Sequence, residues 1–411
     1  MVMDILSVLA YSLPLWYDNP IGPMNHLYHT IRKGNFYMSY TERTHAPFRL
    51  DVVGSFLRPD AIKEARAAFA AGTISAADLK AVEDRCITEL VEKELAAGLR
   101  CVTDGEFRRS YWHLDFMWGF EGVEHIIGEH GYFFHGEETR ADTGRITAPI
   151  RFNGHPFLEH FKFLRDLVGD RAIPRQTIPA PAQFYNEMLR GTNCDSLDAV
   201  YPTREAFRKD LVKAYSDFIH ALYEAGCRSL QLDDCTWGML CDTERRKALY
   251  GGQTDADEVA QLYVDLNNAV IDCVPRGMVV NTHICRGNYH STWASSGGYA
   301  PVSRILFGQE RVDGYYLEFD DERSGGFEPL ADVTGDKIVV LGLITSKRPQ
   351  LEDKEHIKQR ILEASRYVPL DRLCLSPQCG FASTEEGNKL TEDDQWKKLA
   401  LIREIAEEIW G

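Results

Sequence analysis

The sequence predicts an α/β protein of the (β/α)8 TIM-barrel class. From residue 49 onward, short apolar segments alternate with amphipathic helices, and eight such segments occur along the chain. Eight strands favour a closed barrel over an open sheet. With 411 residues, 44% of them apolar, the chain is long enough to bury such a core. The predicted strands are residues 50–53, 101–103, 172–178, 229–233, 278–282, 315–318, 338–343 and 373–376.

The segment before the barrel is expected to form an N-terminal extension, residues 1–44, that is partly disordered. Residues 1–17 are apolar, but Asp4 and Pro14 interrupt them, no basic segment precedes them, and they are shorter than the roughly 20 residues that span a bilayer. We therefore predict neither a signal peptide nor a membrane anchor there. Met38 offers a second possible start. The barrel is expected to occupy residues 45–411 as a single domain.

The helices of the predicted barrel show a regular amphipathic pattern. Between the third and fourth strands one apolar face recurs at helical spacing, and the helix ends at Gly226 before the chain enters a strand. An earlier helix ends in the same way at Gly98. A segment over about residues 119–153, rich in Gly, His and aromatic residues, interrupts the alternation. We expect it to form an inserted hairpin or lid after strand two.

Charge and cysteine content restrict the possible partners and the compartment. A net charge of −16 argues against nucleic acid or an anionic membrane as the main partner. The ten cysteines are scattered through a long chain and do not form the dense framework of a small secreted domain. This pattern is typical of a reducing compartment, so a cytoplasmic location is expected.

The fifth predicted strand ends in a His-x-Cys pair, His283 and Cys285. Residues two apart in a strand point to the same side, so both side chains can face one ion. The pair alone is a weak signal, because a buried histidine and a small buried thiol are common. Glu318 follows the sixth strand and Cys379 the eighth, and in a barrel these strand ends meet at one rim. One nitrogen, one oxygen and two sulfurs favour zinc over harder metals.

Together these segments resemble the C-terminal catalytic barrel of cobalamin-independent methionine synthase, and more closely its single-barrel bacterial relatives. The similarity runs from about residue 45 to residue 409. The motifs that carry it are Val53-Gly54-Ser55-Phe56, Asp104-Gly105-Glu106, Gln231-Leu232-Asp233, His283-x-Cys285, Glu318 and Cys379-Gly380.

The resemblance implies a zinc enzyme that transfers a methyl group to the thiol of homocysteine to give methionine. The four residues His283, Cys285, Glu318 and Cys379 would hold the metal, with Glu318 the ligand most readily displaced by a substrate sulfur. Ser55 would contact the homocysteine carboxylate, and Glu106 and Asp233 its ammonium group. Two acids near a thiolate-binding metal agree with a small thiol that carries a cationic group.

Two departures from the family pattern bear on the methyl donor. The second barrel of the full-length enzymes is absent, and Lys347 stands where the family places a histidine that assists folate chemistry. Lys347 is therefore a candidate catalytic residue. Arg108, Arg109, Lys347 and Arg348 could grip an anionic tail such as folate polyglutamate, or form a solvated rim. The donor can be a folate, a methylated corrinoid or a small methylated sulfur compound.

Other interpretations remain open at the level of sequence. The enzyme could add another thiol, such as coenzyme M, to an alkyl group, or be a metal-free decarboxylase of the uroporphyrinogen type, although the four metal-ligand candidates weigh against the latter. A non-catalytic protein with a structural zinc is a third possibility. Among single residues, Asp233 and Asp234 could cap a helix, Glu106 could pair with a neighbouring arginine, and Cys379 could be a packed thiol.

Overall fold

A computed structural model describes residues 31–32, 35–36, 40–250 and 256–411. The chain divides into two compact units, Met1–Tyr40 and Thr41–Gly411. In the first unit, β1 (Ile31–Arg32) and β2 (Asn35–Phe36) form an antiparallel pair. The expectations for residues 1–30 and for Met38 lie outside the described residues. Among the helices described, none is both long enough and apolar enough to cross a bilayer.

The second unit is built on a seven-stranded sheet whose strands are all parallel, in the order β13-β12-β11-β10-β9-β8-β3. All seven strands were predicted within two residues at each end. They are β3 (Cys101–Val102), β8 (Ile173–Pro179), β9 (Ser229–Asp234), β10 (Val279–Ile284), β11 (Gly314–Glu318), β12 (Ile338–Ile344) and β13 (Leu373–Pro377).

The prediction of a regular first strand at residues 50–53 was wrong. This segment makes one isolated parallel bridge, Leu50 with Leu375 of β13. The carbonyls of Val52 and Val53 instead accept side-chain hydrogen bonds, from Arg175 at 2.7 Å and from Gln231 at 2.6 Å. The segment continues toward the other edge of the sheet, where the Thr103 hydroxyl beyond β3 donates to the Gly54 carbonyl. The sheet therefore curls until both edges contact one segment, but regular strand pairing does not complete the ring.

Helices precede and connect most of the strands. They are α1 (Asp60–Ala70), α2 (Ala76–Ala96), α3 (Leu114–Met117), α4 (Pro156–Val168), α5 (Pro181–Met188), α6 (Asn193–Val200), α7 (Arg204–Glu224), α8 (Thr236–Cys241), α9 (Thr243–Tyr250), α10 (Ala256–Ile271), α11 (Ser303–Gln309), α12 (Lys354–Ala364) and α13 (Glu392–Trp410). Between β11 and β12 the described chain has two short 3-10 helices, Glu322–Ser324 and Glu328–Asp332.

The two helices that end alike in sequence also end alike in structure. After α2, Gly98 has φ +91°, and after α7, Gly226 has φ +100°. In each case the next residue donates its N–H back into the last turn, Leu99 to the Glu94 carbonyl and Cys227 to that of Leu222. Glycine takes this left-handed conformation without a Cβ clash, so it ends the helix and turns the chain into β3 or β9. The apolar face predicted for α7 is fully buried.

The inserted segment contains two antiparallel pairs, β4 (Glu121–Ile127) with β7 (Asp142–Arg151) and, between them, β5 (Phe133–Phe134) with β6 (Glu137–Glu138). We call β5 and β6 the inserted hairpin. Its His135 stacks on Trp293 with ring centroids 5.0 Å apart and donates its backbone N–H to the Trp293 carbonyl. Its Glu137 pairs with His290 and with Lys389. The predicted hairpin is therefore present and rests on the loops after β10 and β13, whereas its action as a lid stays a prediction.

Candidate active site

Four potential metal ligands converge at the carboxyl end of the sheet. His283 lies near the end of β10 with Cys285 just beyond it, Glu318 is the last residue of β11, and Cys379 follows β13. All four are buried, and one ligand atom from each lies within 4.8 Å of the other three. Parallel strands end at one edge of a sheet, which is why residues almost 100 positions apart in sequence meet here. We call these four residues the tetrad.

The donor atoms of the tetrad are arranged so that they could bind a metal ion. The two sulfurs of Cys285 and Cys379 are 3.7 Å apart. Nε2 of His283 and Oε2 of Glu318 are buried with no hydrogen-bond partner among the described residues. The other ring nitrogen of His283, Nδ1, lies 3.2 Å from the Tyr316 carbonyl, which orients the ring. Two sulfurs, one imidazole nitrogen and one carboxylate are a donor set that suits zinc.

The electrostatics of the tetrad couple its acid and its imidazole to Cys285. Burial raises the pKa of Glu318 to about 7, and the negative charge of Cys285 adds to this effect. Burial opposes the charged form of His283, but the interaction with Cys285 outweighs it and raises the histidine pKa to about 8. Near neutral pH both groups are thus close to changing their protonation state.

The two sulfurs of the tetrad differ in acidity. Hydrogen bonds from the thiols of Cys235 and Cys379 hold the pKa of Cys285 well below its usual range. The same interaction with Cys285 raises the pKa of Cys379, and burial raises it further. The two sulfurs therefore differ in how readily they ionise, and any thiol that is still protonated must lose its proton before both sulfurs can hold a metal. The contact with Cys235 was not anticipated from the sequence.

Glu318 is positioned by residues that sequence reasoning missed. Its Oε1 accepts the backbone N–H of Arg286 at 3.2 Å, and its own N–H donates to the hydroxyl of Tyr299 at 3.0 Å. The guanidinium of Arg286 also donates to that hydroxyl, at 2.8 Å. On the other side, Nη1 of Arg323 lies 3.7 Å from Oε2 of Glu318. No local sequence signal identifies these contacts, because they join loops that are separated by a strand.

The three predicted substrate-binding residues lie around the same strand ends. Oε1 of Glu106 accepts the Thr177 hydroxyl at 2.8 Å and is 3.2 Å from Nη1 of Arg109, whereas its buried Oε2 has no hydrogen-bond partner among the described residues. Glu106 adopts φ +60°, a conformation that non-glycine residues rarely take. Such backbone strain often marks a functional position.

Asp233 and Ser55 complete this group. Asp233 lies opposite His283 in the β9–β10 register and accepts the Gln231 amide at 2.8 Å. Burial raises the pKa of Asp233 to about 7, against the lowering effect of His283. The Ser55 hydroxyl is within 3.4 Å of the Ala382 N–H, in the loop that carries Cys379. The neighbouring Asp234, by contrast, accepts hydrogen bonds from the first residue of α8, which is a capping role.

The four basic residues considered for an anionic tail do not share one set of partners. Arg108 is buried against the carboxylates of Glu83 and Asp84 on α2, and Arg109 is engaged by Glu106. Arg348 is exposed. Lys347 is buried, and its amine has no hydrogen-bond partner among the described residues. Lys347 is thus a buried member of this set with an unpartnered amine, and its charge acts on Glu318 and Cys379 of the tetrad.

Comparison with known proteins agrees with this geometry. The sequence pattern of the family described as cobalamin-independent synthase, catalytic domain, matches residues 187–408, which include the whole tetrad. The chain belongs to this family. The resemblance to the cobalamin-independent methionine synthases is thereby confirmed.

Relatives within this family cover most of the chain. An uncharacterized Bacillus subtilis protein, YxjG, is 46% identical over 90% of this chain and 96% of its own length. A methionine synthase of Pyrococcus abyssi is 24% identical over 80% of this chain and 85% of its own length. A Listeria monocytogenes structure, provisionally assigned as a vitamin-B12-independent methionine synthase, is 41% identical with a TM-score of 0.70, over 90% of this chain and all of that one.

Proposed function

We propose that this cobalamin-independent synthase homologue is a zinc-dependent S-methyltransferase that methylates the thiol of homocysteine to give methionine. The observation that carries the proposal is the tetrad, whose two sulfurs, imidazole and carboxylate lie within 4.8 Å of one another beside the acids Glu106 and Asp233. Relatives named methionine synthase support the choice of acceptor. A cytoplasmic location remains the prediction from the cysteine pattern.

The tetrad would hold the metal through His283, Cys285, Glu318 and Cys379. Bound zinc in such a site, with two thiolates and one carboxylate, supplies stabilisation of a substrate sulfur as its thiolate at neutral pH. Glu318 is the exchangeable member, because carboxylate oxygen is a harder donor than sulfur. The other three residues would keep the metal in place.

The remaining residues bind and orient the amino acid. Oε2 of Glu106 is a buried acceptor with no hydrogen-bond partner among the described residues, so an ammonium group would satisfy it. Asp233 would offer a second carboxylate, and the positive charge of the ligand would favour the ionised form of Asp233. The Ser55 hydroxyl would donate to the substrate carboxylate. Two acids and one hydroxyl therefore fit a small zwitterionic thiol better than a purely anionic one.

Lys347 is proposed to act on the methyl donor. A buried amine beside the tetrad can donate a hydrogen bond to the departing group as the methyl is transferred. A folate, a methylated corrinoid and a small methylated sulfur compound all remain candidate donors. Reaction requires the methyl carbon to lie in line with the attacking sulfur, so the residues that fix the thiol also fix the direction of transfer.

The test is zinc content together with the X-ray absorption edge of protein purified under reducing conditions. We expect one zinc per chain, with two sulfur neighbours alone and three after homocysteine is added. Cys379→Ser should lower both counts by one sulfur. Parallel samples with coenzyme M test whether a thiol without an ammonium group also binds. Absence of zinc would overturn the proposal and favour a metal-free decarboxylase. Bound zinc whose ligands do not change when homocysteine is added would also overturn it and would favour a structural zinc.

A further inference from the structure

The carboxylate of Glu318 is bonded on one side and open on the other. Oε1 accepts the Arg286 N–H, and Oε2 has no hydrogen-bond partner among the described residues. Oε2 faces the guanidinium of Arg323, whose Nη1 is 3.7 Å away. That separation is longer than a hydrogen bond, so a small rotation of the Glu318 side chain toward Arg323 would create a contact that the present position lacks.

Arg323 is itself buried and incompletely paired. Its side chain is 7% exposed, and Nε and Nη1 have no hydrogen-bond partner among the described residues. The side chain is held through Nη2, which donates to Asp320 at 3.2 Å, through an ion pair of Nε with Asp321 at 3.3 Å, and by its position over the Trp293 ring. A buried guanidinium with open N–H groups is costly, and a carboxylate that reached them would form a charge-assisted pair.

The backbone around Arg323 is fixed to the loop that carries Arg286. The Arg323 carbonyl accepts the N–H of Gly297 at 2.9 Å. The Gly297 carbonyl in turn accepts two hydrogen bonds from the Arg286 guanidinium, at 3.0 Å and 2.8 Å. The two arginines on either side of Glu318 are therefore tied to one residue. The side chain of Glu318 can move between two positioned groups without a rearrangement of either loop.

We propose that Arg323 is a positioning residue that receives the carboxylate of Glu318 when a substrate thiol takes its place in the tetrad. The inference rests on the proposed function. Glu318 then has two positions, one directed into the tetrad and one on the Arg323 guanidinium. The ion pair formed in the second position offsets the loss of the first, and so strengthens thiol binding.

A purely structural ion pair between Arg323 and Glu318 would behave differently. In that case removal of Arg323 lowers the stability of the tetrad itself, so zinc is retained less well even without homocysteine. If Arg323 instead receives the displaced carboxylate, its removal leaves Glu318 more firmly in the tetrad. Zinc is then retained equally well or better, and only the response to the thiol weakens.

The test compares wild-type protein with Arg323→Met, loaded with zinc, by calorimetric titration with homocysteine and by release of zinc to a chelator. We expect Arg323→Met to bind homocysteine about tenfold or more weakly, with unchanged or slower zinc release in the absence of thiol. Arg323→Lys keeps the positive charge, so its homocysteine affinity should fall less than that of Arg323→Met. The matched control is Arg360→Met, which removes a partly buried arginine that packs on Phe327 away from the tetrad.

A second comparison isolates the pair. In a Glu318→Gln background, Arg323→Met should have no further effect on homocysteine binding, because there is no carboxylate to receive. Wild-type protein whose zinc shell gains a sulfur on homocysteine addition, with an Arg323→Met variant of equal affinity, would overturn this inference and leave the proposed function standing. Wild-type protein that does not respond to homocysteine at all would overturn both.

Discussion

The side-chain amide of Asn388 donates a hydrogen bond to Oδ1 of Asn288 at 2.8 Å, across 100 residues of sequence. Asn388 also donates to the Ser346 carbonyl, and Asn288 donates to the Gly380 carbonyl at 2.7 Å. These two amides join the loops after β10, β12 and β13. They therefore fix Cys285, Lys347 and Cys379 relative to one another.

Asn288→Ala should weaken zinc binding without unfolding the chain. The substitution frees the loop that follows Cys379, and loss of groups that orient metal ligands typically costs about 10-fold to 100-fold in metal affinity. Competition with a chelator measures the change. Asn186→Ala, on α5, removes a comparable amide and should leave zinc affinity unaltered. An Asn288→Ala protein with wild-type zinc affinity would show that the loops hold their positions without this contact.

Gly380→Ala should disturb both the metal site and the substrate site. A Cβ at this position would lie 1.9 Å from the Ser55 hydroxyl oxygen and 3.0 Å from the Ser55 Cβ, so one loop must shift. We expect a loss of about 1–3 kcal/mol in the free energy of unfolding, measured in urea, together with weaker zinc binding. The double variant Ser55→Gly/Gly380→Ala removes the clash and should recover most of the zinc affinity. If it recovers none, the clash is not the cause.

Glu106→Gln should raise KM for homocysteine about 10-fold to 100-fold and change kcat less, because a neutral amide cannot pair with the substrate ammonium. Zinc content should stay at one per chain. Steady-state kinetics with homocysteine as the varied substrate measures the effect. Glu83→Gln, which removes a carboxylate on α2 away from the tetrad, is the control. Equal changes in KM for both variants would show that Glu106 does not bind the substrate ammonium group.

Lys347→Met should lower kcat by about 100-fold or more if the amine assists departure of the demethylated donor. Homocysteine affinity should change little. Turnover is measured with a methylfolate, a methylcorrinoid and a methylated sulfur compound in turn. Lys337→Met, at the opposite end of β12, is the matched control. Unchanged turnover with every donor would exclude Lys347 from the reaction.

Glu310 should make the folded state less stable as pH rises. Burial raises its pKa to about 8, whereas in the unfolded chain the carboxyl ionises near the ordinary glutamate pKa of 4.5. Between these values folding takes up a proton, so the free energy of unfolding falls as pH increases, by an amount on the order of 1–3 kcal/mol. Glu310→Gln should remove that part of the slope. Urea unfolding of both proteins at about pH 5.5 and about pH 8 measures it, and parallel slopes would contradict it.

The seven strands could be predicted because buried apolar segments alternate with amphipathic helices, and six of the seven are followed by polar residues, as parallel strands of a curled sheet often are. The segment at residues 50–53 reads the same way in sequence. It does not form a regular strand because the side chains of Arg175 in β8 and Gln231 in β9 donate hydrogen bonds to its last two carbonyls, which a neighbouring strand would otherwise use. Those two side chains come from strands distant in sequence, so the residues around 50–53 contain no pattern that predicts their hydrogen bonds.

The tetrad could be found in sequence because its members are chemically distinctive and each follows a strand. Arg286 and Arg323 were missed because arginine near a strand end is ordinary, and their role depends on a loop contact through Gly297. The partners of Arg108 and Arg109 were undecided for a similar reason. Although the two residues are adjacent in sequence, Arg108 pairs with a carboxylate on α2 and Arg109 pairs with Glu106. The packing of the folded chain decides these partners.

The wide spacing of the tetrad along the chain has a consequence for maturation. Cys379 lies 94 residues beyond Cys285, and its loop is bound to the start of the curled sheet through the hydrogen bond from the Phe381 N–H to the Ser55 carbonyl. A growing polypeptide has no complete tetrad until the loop after β13 has been made and has folded against the ends of β10 and β11, because an unfolded chain does not hold such distant ligands together. A chain whose synthesis stops before Cys379 therefore lacks one of the four ligands of the tetrad and cannot form the complete metal site.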